Sequence, residues 1–271
     1  MSVLQAIFLG LVQGATEFIP VSSSGHLVLV PWLLGWPAPG LLFDTMVHWG
    51  TLVAILAYFW RDWLALITAW LRGLLHWDWS DPNARLAWLL VIGTIPAAVL
   101  GFLFEDWFES LFSEPAWVSF FLLVTAAILL LGERLSRSKR ARNMADLRWP
   151  DALTTGLAQA AAITPGISRS GATMSAGLLR GLDRPTAARY SFLLATPAIL
   201  GAGLLQLAKL SSVPDPLAQI PLLGTGFLAA LISGYLCIWG LLRYLQRGRL
   251  TIFAIYCIWF GTSCLIVAWL R

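Results

Sequence analysis

Six segments of this chain, roughly 41–60, 86–104, 117–133, 188–208, 220–242 and 250–270, stay apolar for about the 20 residues a helix needs to cross a bilayer's hydrocarbon core. Inside lipid no water can bond a free N–H or C=O, so apolar segments of this length can only be helices. Charged residues make up 12% of the 271, against ~25% in a soluble domain, too few to coat a water-facing surface. A soluble enzyme, a disordered chain and a coiled coil are excluded. The expected fold is an all-α polytopic membrane protein, a single integral membrane domain over residues 1–271.

Two further apolar regions, about 3–35 and 150–182, are broken near their middles. The breaks are Pro20-Val21-Ser22-Ser23-Ser24-Gly25 and Pro165-Gly166-Ile167-Ser168-Arg169-Ser170-Gly171. Non-helical backbone at membrane depth is tolerated only where it is buried in protein or lines a wet cavity. Both regions therefore read as re-entrant hairpins made of two half-helices.

The basic residues order the two sides. If the second hairpin returns to the side it came from, one side receives fifteen of the eighteen Lys and Arg. These are Arg61, Arg72 and Arg85, then Arg134, Arg137, Lys139, Arg140, Arg142 and Arg148, then Arg180, Arg184 and Arg189, and finally Arg243, Arg247 and Arg249. The other side keeps Lys209, Arg271 and the acidic loop of Glu105, Asp106, Glu109 and Glu114, while Arg169 lies inside a hairpin. The positive-inside rule makes the basic side cytoplasmic. The first hairpin then dips in from outside and the second from the cytoplasm. Trp32, Trp36, Trp107, Trp117 and Trp269 near one boundary, with Trp60, Trp63, Trp88 and Trp149 near the other, form aromatic belts. The stretch 63–77 is short and runs into Asp78, Ser80, Asp81 and Asn83, so it reads as lying along the inner interface. The net charge of +4 thus reflects topology, and no nucleic-acid partner is implied. Cys237, Cys257 and Cys264 sit in apolar segments and indicate neither a disulfide framework nor a metal site. Met1-Ser2-Val3-Leu4 lacks the basic start of a signal peptide.

The two broken regions echo each other. Gly10-Leu11-Val12-Gln13 is matched by Gly156-Leu157-Ala158-Gln159, and Pro20 to Gly25 by Pro165 to Gly171. Each hairpin precedes three spans, so the expected architecture is two inverted-topology repeats, about 1–133 and 150–271, joined by a cytoplasmic loop at 134–149. Inverted repeats place a site near the midplane, where half-helix N-termini favour an anion.

Ionisable groups at depth are functional candidates. Glu17 shares a helix face with Gln13, and can hold a cation or act as a base; a structural hydrogen bond within the bundle is the other reading. Ser22, Ser23, Ser24 and His26 stand at the first break, where serines cap a helix or one serves as a nucleophile beside the histidine. Ser168, Arg169, Ser170 and Thr173 stand at the second. The Arg fork matches phosphate oxygens, and Gly166 and Gly171 allow close backbone approach; an Arg169 paired with Glu17 purely for packing is the other reading. Asp44 and His48 share a face of the first span, where they either steady the groups that meet the ligand or serve the packing of the bundle; His76 is incidental. A carboxylate, a Ser/His pair, an Arg and two helix N-termini suit a phosphate ester or anhydride.

These residues carry a resemblance. Gln13-Gly14-Ala15-Thr16-Glu17-Phe18-Ile19-Pro20-Val21-Ser22-Ser23-Ser24-Gly25-His26 and Pro165-Gly166-Ile167-Ser168-Arg169-Ser170-Gly171-Ala172-Thr173 resemble the two signatures of the undecaprenyl-pyrophosphate phosphatases, the bacitracin-resistance family. Phe43-Asp44 and Ile95-Pro96-Ala97 extend the resemblance along the chain. It implies a cell-membrane enzyme that removes one phosphate from the C55 lipid pyrophosphate, regenerating the carrier for cell-wall synthesis, with its site open to the outer or periplasmic face. It implies Glu17, Ser23, His26 and Arg169 as catalytic residues, and Ser22, Ser24, Gly25, Ser168, Ser170, Gly171 and Thr173 around the substrate. It implies a divalent cation, Mg2+ or Ca2+, with Glu17, Gln13 and Asp44 as candidate ligands; many members have Glu where this chain has Gln13, a weaker ligand. A transporter or flippase of an anionic polyprenyl lipid is the alternative, since inverted repeats with broken helices also build transporters. A homodimer is left open.

Overall fold

The computed structural model describes residues 1–112, 114–136, 142–208 and 219–271. Among these, the chain forms twelve α-helices and one short 3-10 turn (Met144–Asp146). Six helices are long and apolar enough to cross a membrane: α3 (Leu41–Tyr58), α5 (Pro82–Leu103), α7 (Pro115–Leu135), α10 (Arg184–Ala208), α11 (Ile220–Leu245) and α12 (Thr251–Leu270). They are the six segments expected from the sequence. The chain is a multi-pass, all-α membrane protein.

Both broken regions are helix pairs. In the first, α1 (Val3–Phe18) opens on a capping box, Ser2 accepting from the Gln5 amide while Gln5 accepts from the Ser2 amide. It stops where Pro20 forces Ile19 into extended backbone. α2 (Ser23–Leu34) restarts after Ser22 and ends on left-handed Gly35. In the second, α8 (Trp149–Ala161) starts with Pro150 in its first turn, and α9 (Arg169–Leu179) restarts after Ser168. Each pair returns to its own end of the bundle. Phe8 of α1 meets Trp36 just past α2, with ring centroids 5.8 Å apart. Arg180 at the end of α9 bonds Asp151 at the start of α8, at 2.8 Å. The first pair opens toward Arg271 at the end of α12, which donates to the Trp32 carbonyl at 3.0 Å; Arg180 of the second pair lies four residues before Arg184, whose partner Glu133 accepts from the Leu250 amide at the start of α12.

Small residues set how closely the helices pack. Gly10 and Gly14 of α1 lie against Gly226, Ala229, Ala230 and Gly234 of α11, and Gly93 of α5 lies against Gly156 of α8. Without a hydrophobic drive between helices in lipid, such close backbone contact supplies the association. α3 packs on α10 and α11, and α7 on α9 and α12. α4 (Trp60–His76) follows α3 directly and packs on α5; it buries Leu66, Ala69 and Gly73, the last against Trp79, and leaves Leu64, Ile67, Leu71 and Leu75 exposed. One sequence expectation is corrected here: the acidic stretch after α5 is not all loop. α6 (Glu105–Leu111) begins on Glu105 and Asp106, which complement its dipole.

The end that carries the arginines is cross-tied. Asp151, fully buried, receives Arg142 (2.6 and 3.2 Å), Arg180 and the Arg148 amide (2.9 Å). Glu133 pairs with Arg184 and accepts from the Leu250 amide at 3.0 Å, and Arg189 pairs with Asp62. Arg137, Lys139, Arg140 and Lys209 lie outside the described residues. Asp151→Ala is expected to cost about 2 kcal/mol, less than the ~3–5 of a fully buried pair because both arginines reach water. The check is a fall of about 4–8 °C in melting temperature in detergent.

Candidate active site

The two hairpin tips meet. The second tip is braced by Thr125 of α7, which donates to the Gly166 carbonyl (2.8 Å) and accepts from the Ser168 amide (2.9 Å). Gly166 has φ +92, and a side chain there would strike the α7 backbone at Val118. Both tips use the same local device. Ser22 and Ser168 are N-caps, accepting from the amides of Gly25 (3.2 Å) and Gly171 (3.0 Å). Each also contacts the serine two residues on, Ser24 at 3.3 Å and Ser170 at 3.2 Å. The residue between the serines opens the half-helix: Ser23 in the first tip, Arg169 in the second.

Both of those residues converge on Glu17, which stands in the last turn of α1 and is 5% exposed. The Ser23 hydroxyl donates to Glu17 Oε2 and Arg169 Nη2 donates to Oε1. Gln13, one turn earlier, donates its amide to Oε2 at 2.9 Å. His48 Nε2 stands 3.8 Å from the same oxygen. The carboxylate thus joins a hydroxyl of one tip to a guanidinium of the other. Among the described residues, Arg169 Nη1, Gln13 Oε1 and Asp44 Oδ1 have no partner.

His26 is placed differently from the sequence expectation of a Ser23–His26 pair. Its Nδ1 donates to the Ser22 carbonyl at 2.7 Å, leaving Nε2 to accept from the Tyr256 hydroxyl at 2.7 Å. The ring stacks on Phe260, centroids 4.8 Å apart. Side chains on a helix lean toward its N-terminus, so a histidine four residues after Ser22 reaches that carbonyl rather than Ser23. Ser22 is held at φ 70 and ψ 96, a backbone state costing ~1–3 kcal/mol, and His26 fastens it.

The site opens into a cavity of about 1350 Å³. Glu17, Ser22, Ser23, Ser24, Asp44, His48 and Arg169 form its polar end. Leu27, Val28 and Trp32 of α2, Phe102 of α5, Phe108 of α6 and Leu204 of α10 belong to an apolar wall that continues to Trp36, Leu41, Phe112 and Pro115. Gln13, Gly25, His26, Ser168, Ser170, Gly171 and Thr173 do not line it. Thr173 instead contacts Ser191 of α10 at 2.6 Å and the Arg169 carbonyl at 2.8 Å. Tyr256 and Thr125 were not singled out by sequence, since their partners are 230 and 41–43 residues away. Gln159, also on the cavity wall, shows in the sequence only as an echo of Gln13.

Comparison with known proteins places these residues in context. The family described as bacitracin resistance protein BacA matches residues 6–263. A protein named undecaprenyl-diphosphatase from Desulforudis audaxviator is 45% identical over 271 residues, covering 100% of both chains. Proteins of the same name from Thermomicrobium roseum (45% identical, 98% of each chain) and Methanosphaera stadtmanae (43% identical, 99% of each chain) are also similar.

Proposed function

The chain belongs to the bacitracin resistance protein BacA family, and we infer that it hydrolyses undecaprenyl diphosphate to undecaprenyl phosphate and inorganic phosphate. The full-length relatives carry the name of that phosphatase, so the transporter alternative is not favoured. The observation that carries the site assignment is the carboxylate of Glu17 bonded to both Ser23 and Arg169 at the polar end of a largely apolar cavity. The polyprenyl tail is accommodated by the apolar wall and the diphosphate by the polar end.

The geometry supports the following sequence. The diphosphate draws Arg169 toward its oxygens, beginning with the unpartnered Nη1. That loosens the guanidinium's hold on Glu17, which is then free to take the Ser23 hydroxyl proton. Ser23 Oγ forms a bond to the terminal phosphorus as the bridging P–O bond breaks, and undecaprenyl phosphate leaves. The departing undecaprenyl phosphate takes that proton from Glu17. The freed carboxylate then accepts a proton from the water that attacks the phosphoserine. Inorganic phosphate leaves as the Ser23 O–P bond breaks, and Glu17 returns the proton to Ser23 Oγ. His26 acts on this step through Ser22, by holding the strained turn that presents Ser23. The helix N-termini at Ser23 and Arg169 add a positive field for the phosphates.

A divalent cation fits this donor set at Asp44 better than at Glu17, and Gln13, though its Oε1 is unpartnered, does not line the cavity. Both Glu17 oxygens are already taken, whereas Asp44 Oδ1 is unpartnered on the cavity wall. Mg2+ typically binds one or two carboxylates together with substrate phosphates, and would neutralise phosphoryl charge there.

α1 packs on α11 as α8 packs on α5, and the hairpins open at opposite ends, which supports two inverted repeats. The cross-tied arginine end faces the cytoplasm of the cell membrane, and the cavity opens outward.

Purified protein in detergent is expected to release phosphate from undecaprenyl diphosphate, with release falling at least tenfold on chelation and returning with Mg2+ or Ca2+. Absence of phosphate release at any cation concentration would overturn the assignment.

A further inference from the structure

Gln159 stands where the second half of the chain repeats the Gly-Leu-x-Gln of the first. In the first half, Gln13 places its amide on Glu17, four residues on. Four residues on from Gln159 stands Ile163, which offers no bonding group. Gln159 is 2% exposed, and neither its amide nitrogen nor its carbonyl oxygen has a partner among the described residues. It lines the same cavity as Ser23 and Arg169. A buried amide left unpaired at both ends destabilises a fold, and native proteins rarely keep one without a use. Both amide atoms are enclosed in the ligand-free fold, and a turn of this side chain toward the cavity it lines lets a ligand satisfy them.

We propose that Gln159 is a substrate-binding residue whose Nε2 donates a hydrogen bond to a non-bridging oxygen of the lipid diphosphate. This rests on the reading of the site as a diphosphate pocket. Ser23 and Arg169 reach the substrate from the two tips, and Gln159 reaches it from the first half-helix of the second hairpin. Its neutrality suits that position: it orients an anion without supplying a proton and without holding the released phosphate as a cation does.

The test compares wild type with Gln159→Leu, Gln159→Glu and Arg169→Ala in detergent. It reads ligand-free melting temperature, binding of inorganic pyrophosphate by thermal shift, and steady-state kinetics on a polyprenyl diphosphate. Gln159→Leu is expected to melt no lower than wild type, because it removes two unpaired buried atoms. Its KM and its pyrophosphate Kd are expected to rise about tenfold to a hundredfold, the loss of one hydrogen bond to a charged group, with kcat within about threefold. Gln159→Glu replaces the donor with an anion and raises KM further. A Gln159→Leu protein with wild-type KM and pyrophosphate binding overturns the inference, whatever its melting temperature; loss of pyrophosphate binding in Arg169→Ala then leaves the site reading standing. Wild-type pyrophosphate binding in Arg169→Ala overturns the site reading and this inference with it.

Discussion

Arg169→Ala is expected to lower kcat/KM for polyprenyl diphosphate by about 10³-fold or more. Two losses combine. The guanidinium is the cation placed to meet charge developing on the transferred phosphoryl oxygens, and removing one such preorganised donor costs ~10²–10³ in rate. The fork also binds the ground-state diphosphate, so KM rises as kcat falls. The substitution has a structural consequence as well. Glu17 is 5% exposed and pairs with Arg169 across 152 positions of the chain, so the variant leaves a buried carboxylate without its counter-charge. Breaking one side of a buried pair costs ~3–5 kcal/mol unless the remaining group takes up a proton. Arg169→Lys keeps the charge but loses the fork, and is expected to recover stability more than activity. A variant that folds, binds and turns over as wild type would remove Arg169 from the site.

Ser23→Ala is expected to lower kcat by about 10³-fold or more while leaving diphosphate binding within about threefold. The serine opens α2 with its hydroxyl on Glu17, on the cavity wall. Removing a nucleophile abolishes the covalent route, whereas the groups that bind the anion stay in place. The fold should hardly notice, since Glu17 keeps its bonds from Gln13 and Arg169; a stability change below about 1 kcal/mol is expected. Mixing enzyme and substrate rapidly, then quenching in acid, should trap phosphate on wild-type protein and none on the alanine variant. Phosphate trapped on Ser23→Ala would assign the attack to another group.

The site was legible to different depths. Glu17, Ser23 and Arg169 stood out because polar and charged groups at membrane depth are costly, and the folded chain brings these three together. The partner of His26 was not legible. A histidine three residues after a serine suggests a pair, yet the lean of helical side chains sends its ring to the Ser22 carbonyl. Tyr256, which completes its bonding, comes from the last helix 230 residues away. Gln13 and Gln159 stand in matching Gly-Leu-x-Gln stretches, and the sequence already gives only the first a carboxylate one turn on; the packed bundle decides that no other group meets the second. α6 was hidden because seven residues are too few to give a clear helical period.

The sequence by itself determined the helical fold, the six spans and the two breaks. Lipid leaves a backbone no other way to satisfy its polar groups, and proline with glycine ends a helix by local sterics alone. Only the tertiary structure decided which broken tip faces which, and that one carboxylate joins Ser23 to Arg169. Those contacts depend on how small residues let α1 lie along α11, and α8 along α5. Packing of that kind is a property of surfaces meeting in space, and no local stretch of sequence specifies it.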